Sequence, residues 1–429
     1  MRLLDSAKER FGKKTVRFAW FGLWLCLSLA KTAVAAEAGN EASLPIAVFI
    51  RGDDLWIKSG ETERQLTNGD YVRNPRFSPD GQWIAFTKGK EETDIWLYHL
   101  KDGKSHRVAQ GADAQWSPEE NQLAFLSGDM LSVADPARPE APVNVIAGVG
   151  NYSWRPDGRG FVVSTKAELL PDGWTNVRLY DVPLDANLDP KRAKLLATLP
   201  QTESFFAIGT SRFEWSADGQ WIVFIAVPTA SLSADANTLC VISADGKRFV
   251  TADTVLNDEA WFAWAPKART LAFIAGAGRD ATSNKRLTLL KRPFPRKKTF
   301  TPAGFVDRDV IWIDDRTVTV SRLQKESIAG NEGKASLPVL VQIDIAGGGA
   351  RTITSPPAGF GDFGPRYGPF SRKLIWIRSD RTKGSVWISG PDGSDAREWI
   401  PALTLPVPYY DRWNWSQVID LHDAKPRRP

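Results

Sequence analysis

Cysteine, methionine and histidine are scarce. The 429 residues hold two of the first, two of the second and three of the third. Cys26 falls in the N-terminal apolar run, which leaves Cys240 alone in the body of the chain. One thiol makes neither an intrachain disulfide nor a thiolate metal cluster. His99, His106 and His422 are too few and too scattered for a histidine triad or a ring of imidazole ligands. There is no G-x-S-x-G elbow; Gly209-Thr210-Ser211-Arg212-Phe213 comes nearest and lacks the final glycine. A charge excess is also missing from the body. The first 35 residues carry Arg2, Lys8, Arg10, Lys13, Lys14, Arg17 and Lys31 against Asp5 and Glu9. Removing them from 55 basic and 50 acidic residues leaves 48 of each. Duplex binding needs a basic excess to displace counterions, so nucleic acid is not an expected partner.

What is present begins with a leader. A basic segment precedes the apolar run Phe18 to Ala30, and Ala33-Val34-Ala35 follows as an A-x-A site. This is the anatomy of a secretory signal peptide over residues 1–35, with an uncleaved anchor as the alternative. The expected destination is the periplasm or the exterior, with membrane contact only through an uncleaved leader. A linker at 36–44, a body at 45–419 and a basic tail at 420–429 complete the division.

The chain contains 28 Pro, 34 Gly and 18 Trp, a composition of turns and aromatic strands. One phrase recurs in it. Phe77-Ser78-Pro79-Asp80-Gly81, Trp116-Ser117-Pro118-Glu119, Trp154-Arg155-Pro156-Asp157-Gly158, Trp215-Ser216-Ala217-Asp218-Gly219 and Trp264-Ala265-Pro266 each lead into an apolar strand. Weaker copies stand at Trp312 and Phe370. Ser, Pro, Asp and Gly in this order suit a type I turn closed by a residue of positive φ, which joins antiparallel strands. A third strand, a tight turn and a fourth strand follow. Units of this size bury both faces only by stacking around an axis. The expected fold is therefore an all-β, eight-bladed propeller of four-stranded antiparallel blades, with seven blades possible. Its N-terminal blade starts with Ile46 to Phe49 and lacks a first strand; Arg412 to Ser416 is expected to supply it and close the ring. Aromatics 77, 116, 154, 215, 264, 312, 370 and 415 are the expected anchors.

The phrase resembles the TolB-type propeller repeat, which also occurs in the propellers of dipeptidyl peptidase IV-like and prolyl oligopeptidase-like enzymes. The resemblance covers roughly residues 45 to 417 and implies the fold; the repeat itself hosts many activities. Neither the α/β domain of TolB nor the hydrolase domain of the peptidases is matched in this sequence. No catalytic residue, metal ligand or cofactor is expected.

Loop lengths indicate where binding sits. Short turns share one face. Long second-to-third-strand loops (166–176, 227–237, 276–285, 324–337) and long links (199–212, 253–260, 355–366, 400–411) share the other. That face carries Trp174, Glu203, Phe205, Phe206, Asp258, Glu259, Trp261, Phe360, Phe363, Arg366, Tyr367, Tyr409 and Tyr410 as candidate binding residues. The alternative for each aromatic is a cap on the apolar gap between blades. The functional expectation is a monomeric, non-enzymatic scaffold that grips a protein or peptide in the cell envelope. The rival is a propeller enzyme or carbohydrate-binding protein with an acidic and aromatic site at the central channel. Convergent carboxyls that titrate high would favour the rival.

Overall fold

The structure is a computed structural model that describes residues 44–228, 237–291, 296–325 and 336–424. The leader, most of the linker, the tips of the 227–237 and 324–337 loops and the end of the tail lie outside the described residues. Among the described residues there is no α-helix, only strands and three short 3-10 turns.

The strands form six four-stranded antiparallel sheets and one nine-stranded sheet. The larger sheet is two four-stranded units whose edges meet at the single pair Val255–Ala275, the first strand of one being split in two. Eight units result. Unit 1 combines Ile46–Arg51, Asp54–Ser59 and Thr62–Gln65 with a strand from the far end of the chain, Ile419–His422. Units 2 to 8 follow in chain order. Their first strands are Val72–Phe77, Ala112–Trp116, Asn151–Trp154, Gly209–Thr210 with Glu214–Trp215, Phe262–Trp264, Phe305–Trp312 and Gly361–Gly368. A separate hairpin, Leu169–Leu170 with Gly173–Trp174, projects from the long loop of unit 4.

The turn phrase behaves as its chemistry dictates. Ser78 Oγ donates to Asp80 Oδ1 at 2.6 Å, and Ser216 Oγ to Asp218 Oδ1 at 2.6 Å. Gly81 and Gly219 adopt φ of +69° and +65°, which glycine tolerates without strain. The anchor indoles then stitch unit to unit. Trp116, Trp154, Trp264 and Trp312 each donate Nε1–H to a carbonyl of the preceding unit: Arg76, Gln115, Glu214 and Ala263, at 2.9–3.2 Å. In each case the acceptor is the residue just before that unit's own anchor. Trp215 breaks the series, since its buried Nε1 has no partner among the described residues.

A second regularity lies three residues before the anchor. Asn74, Asp113, Asp309 and Gly364 all have positive φ, and each sits at a register shift of the first strand. These are β-bulges built on residue types that accept the left-handed region.

The two regularities correct two anchors. In unit 8 the residue three beyond bulged Gly364 is Tyr367, which pairs with Leu374 as anchors elsewhere pair with the second strand. Phe370 instead lies 39% exposed in the following turn. In unit 1 the strand from the far end of the chain is Ile419–His422, in register with Ile46–Phe49, so Leu421 opposite Ala47 stands at the anchor position. Arg412 to Ser416 is not that strand. Trp413 and Trp415 stack at 5.7 Å, pack on Phe363 and join the core that also holds Val48, Phe49 and Ile50. The expected body end at 419 therefore falls too early, because 420–422 are part of a sheet. The tryptophans were misread as strand because aromatic alternation marks a buried segment without fixing its backbone.

Hydrogen bonds continue from unit 8 to unit 1. Thr404 N donates to Ile50 O at 2.9 Å, and Phe370 N to Asp423 Oδ2 at 2.7 Å. Phe77 N of unit 2 donates to Asp420 Oδ2 at 2.9 Å, so the late strand bridges both neighbours.

Candidate functional site

The residue before each anchor forms a row through the first strands. In order from unit 8 it reads Arg366, Asp420, Arg76, Gln115, Ser153, Glu214, Ala263 and Ile311. Basic groups cluster on one side of this row, and Glu214 stands apart from them. A cavity of about 530 Å³ opens beside Glu214, bounded by the first strands of units 3 to 6. Trp116, Trp154, Trp215 and Phe213 give it apolar walls, while Arg212, Glu214 and Glu259 give it charge. It lies where the indole series is interrupted at Trp215.

Electrostatics single out three groups. Burial, reinforced by the neighbouring Glu259 carboxylate, pushes the Glu214 carboxyl up to about 8. Glu259 is held by Arg212, whose backbone N–H donates to it at 2.8 Å and whose guanidinium lies 3.9 Å away. Burial also raises the Asp258 carboxyl to about 6, against the pull of Arg412 at 3.4 Å. The Arg76 guanidinium is lowered to about 10, chiefly by burial; the carboxylates of Asp420 and Glu259 oppose the shift, and the like charges of Arg212 and Arg366 add to it.

The thirteen long-loop residues do not make one surface. Trp174, Glu203 and Phe206 stand over units 4 and 5, with Trp174 38% exposed and edge-on to Phe206 at 6.5 Å. Phe205 is buried against Phe249. Phe360 is half-buried at the entry to unit 8, and Tyr367 is a strand anchor. Trp261 and Phe363 are core: with Trp413 they enclose the buried Arg308 guanidinium at 5.3–6.0 Å. The segment 404–413 lies across this cluster. Its Asp411 pairs with Arg381 at 2.8 Å and Arg308 at 3.5 Å, and its Arg412 holds Asp258 and Asn257 O. Tyr409 and Tyr410 meet edge to face at 4.7 Å, and Arg279 covers Tyr410. Glu259 and Arg366 turn instead toward the cavity and the charged row.

Sequence reading missed Glu214, Arg212, Arg76 and Asp420. For Glu214 and Arg76 the available signal is a charged residue immediately before the anchor aromatic; Arg212 and Asp420 carry no such signal. Replacing Tyr409 and Tyr410 together by Ala is expected to lower unfolding stability by less than about 2 kcal/mol, since Tyr410 is 48% exposed. Urea denaturation checks this; a loss of about 3–5 kcal/mol is what fully buried rings would give.

The comparisons agree with this architecture. No family model matches the sequence. A stretch of 111 residues is 32% identical to the uncharacterized peptidase YuxL of Bacillus subtilis (strain 168), covering 22% of this chain and 17% of that protein. Another of 128 residues is 27% identical to the uncharacterized protein Atu1656 of Agrobacterium fabrum (strain C58 / ATCC 33970), covering 24% of this chain and 43% of that one. The chain thus matches less than half the length of either relative. Among solved structures it is similar to the dihydro-heme d1 dehydrogenase NirN in complex with DHE (TM-score 0.56, 15% identity, 84% of this chain and 73% of that one). It is also similar to a eukaryotic initiation factor (0.53, 15%, 83% and 86%) and to a prolyl endopeptidase (0.51, 13%, 82% and 50%). The fold is related to the β-propeller. Proteins of this shape include enzymes, and likeness at such identity shows the fold alone.

Proposed function

We propose that the chain is an exported, TolB-like, closed eight-bladed propeller whose working site is the central channel. Eight four-stranded units and the pairing of Ile419–His422 with Ile46–Phe49 support the ring. The leader over 1–35 supports export to the periplasm or beyond. In the channel, Glu214 keeps its proton at neutral pH and donates it, as a hydrogen bond or as a general acid, to an oxygen of a polar peptide or saccharide lying on the indole walls. The observation that carries this reading is the placement of Glu214 in the wall of an aromatic cavity beside Glu259, where burial and that like charge push its carboxyl up to about 8. The channel reading takes precedence over the long-loop scaffold because Trp261, Phe363 and Phe205 are buried in the core.

The test is a panel of short peptides and oligosaccharides, titrated by tryptophan fluorescence at pH 6 and pH 9.5. Wild-type protein is expected to lose at least about tenfold in affinity at the higher pH, as Glu214 loses the proton it must donate. Glu214→Gln, which keeps a donor, is expected to bind equally at both values. A pH response identical in the two proteins contradicts the assignment. A second reading, protein capture on the long-loop face, is favoured by the hairpin carrying Leu169 (66% exposed), Leu170 (49%) and Trp174.

A further inference from the structure

Charge in the body is balanced as a whole but not locally. Residues 281–300 hold seven Lys and Arg and no Asp or Glu. They span the third and fourth strands of unit 6, Arg286–Lys291 and Arg296–Thr299. Arg286, Lys291, Arg296, Lys297 and Lys298 are exposed. Lys297 pairs with Asp253 at 2.8 Å. The other four form no ion pair among the described residues, and Lys298 rests on the Phe300 ring at 4.6 Å. No other unit has three consecutive basic residues on its outer strand. The outer strands of units 1, 3, 5 and 8 each contain an acid instead: Glu63, Glu140, Asp253 and Glu398.

The same strand offers free main chain. Arg296–Thr299 is the last strand of its sheet. Its register sets Arg296 opposite Lys291 and Lys298 opposite Leu289, and just beyond it Phe300 N donates to Leu287 O at 2.9 Å. Bonding residues alternate along an antiparallel pair, so Arg296 and Lys298 turn their N–H and C=O inward, while Lys297 and Thr299 turn theirs outward. An open edge of this kind is a template for a further strand. Its positive charge repels a second copy of itself and selects an acidic sequence.

We propose that the outer edge of unit 6 takes up an extended acidic peptide as a fifth strand. The peptide main chain bonds the outward groups of Lys297 and Thr299, and its carboxylates meet Arg296 and Lys298, which share one face of the strand. Lipid headgroups and anionic saccharides match the charge but lack the alternating donors and acceptors of a backbone. The site is separate from the Glu214 cavity and independent of it.

The experiment uses the full chain and a short fluorescein-labelled peptide of alternating Glu and Thr, followed by fluorescence anisotropy. Two control peptides replace Glu by Lys, or keep Glu and carry N-methyl groups on alternate amides. The Glu peptide is expected to bind, and each control to bind at least about tenfold more weakly. Arg296→Glu with Lys298→Glu is expected to weaken the Glu peptide by at least about tenfold, with a melting temperature within about 1 °C of the parent. Glu214→Gln is expected to bind it like the parent. In the unmutated protein the peptide is expected to slow hydrogen exchange of the Lys297 and Thr299 amides by about tenfold, a change that attraction between side chains alone does not produce. Equal binding of the N-methylated peptide, or unchanged exchange at those amides, would overturn the added strand. Equal binding of the Lys peptide would overturn the charge selection. Absence of peptide binding, with the protein sedimenting on phosphatidylglycerol vesicles, would overturn the proposal in favour of a lipid surface.

Discussion

A chain ending at Gln417 is expected to lose cooperative unfolding. The deletion removes Val418 and Ile419, both buried, and the strand that pairs with Ile46–Phe49. It exposes the edge of unit 1 and removes the Asp420 carboxylate that receives Phe77 N and faces Arg366. Units of this kind are stabilised by their neighbours, so the loss extends to units 2 and 8. The expected cost exceeds about 5 kcal/mol, a large part of the total stability of an ordinary domain. Urea unfolding followed by far-UV circular dichroism and by fluorescence measures it. A single steep transition near the parent midpoint contradicts the role given to the late strand.

Asp309→Ala is expected to be strongly destabilising. Asp309 is buried and accepts from Trp261 Nε1 at 3.0 Å and from Gly364 N at 2.9 Å, which ties units 6, 7 and 8 together. Its carboxylate lies 3.9 Å from the buried Arg308 guanidinium. Removing it leaves the buried Trp261 indole and the half-buried Gly364 N–H without that partner and one cation less balanced, a loss of about 3–5 kcal/mol. Ala also adopts the required φ of +49° poorly. Asp309→Asn tolerates that backbone and keeps one acceptor oxygen, so it is expected to lose roughly half as much. Equal stability of Asp309→Ala and parent in chemical denaturation would contradict the network.

Much of the fold was legible in the sequence, for a physical reason. The Ser-Pro-Asp-Gly turn leaves the chain few conformations, and an aromatic before it has only the gap between units to fill. Repetition of both, from Phe77 to Trp264, marks strands and their order. Legibility faded where the signal was carried by other chemistry. In unit 8 the bulge uses Gly364 and the anchor is Tyr367, so the louder Phe370 drew the assignment. In unit 1 the anchor position holds Leu421, an ordinary aliphatic, while Trp413 and Trp415 serve as packing on Phe363.

The site was less legible. Glu214 and Arg76 are unremarkable as residue types. Their character comes from partial burial and from charges distant in sequence, Glu259 beside Glu214 and Arg212 and Arg366 near Arg76. Long loops were a sound guide to exposed groups such as Trp174 and Tyr410. They were a poor guide to the cavity beside Glu214, whose lining comes from the first strands of units 3 to 6.

The proton on Glu214 is the claim on which the functional account depends, and infrared spectroscopy observes it directly. In difference spectra between wild type and Glu214→Gln, the protonated-carboxyl stretch is expected to persist at neutral pH and to disappear through a midpoint of about 8. Disappearance of that band with an ordinary carboxylate midpoint, well below pH 6, would contradict it.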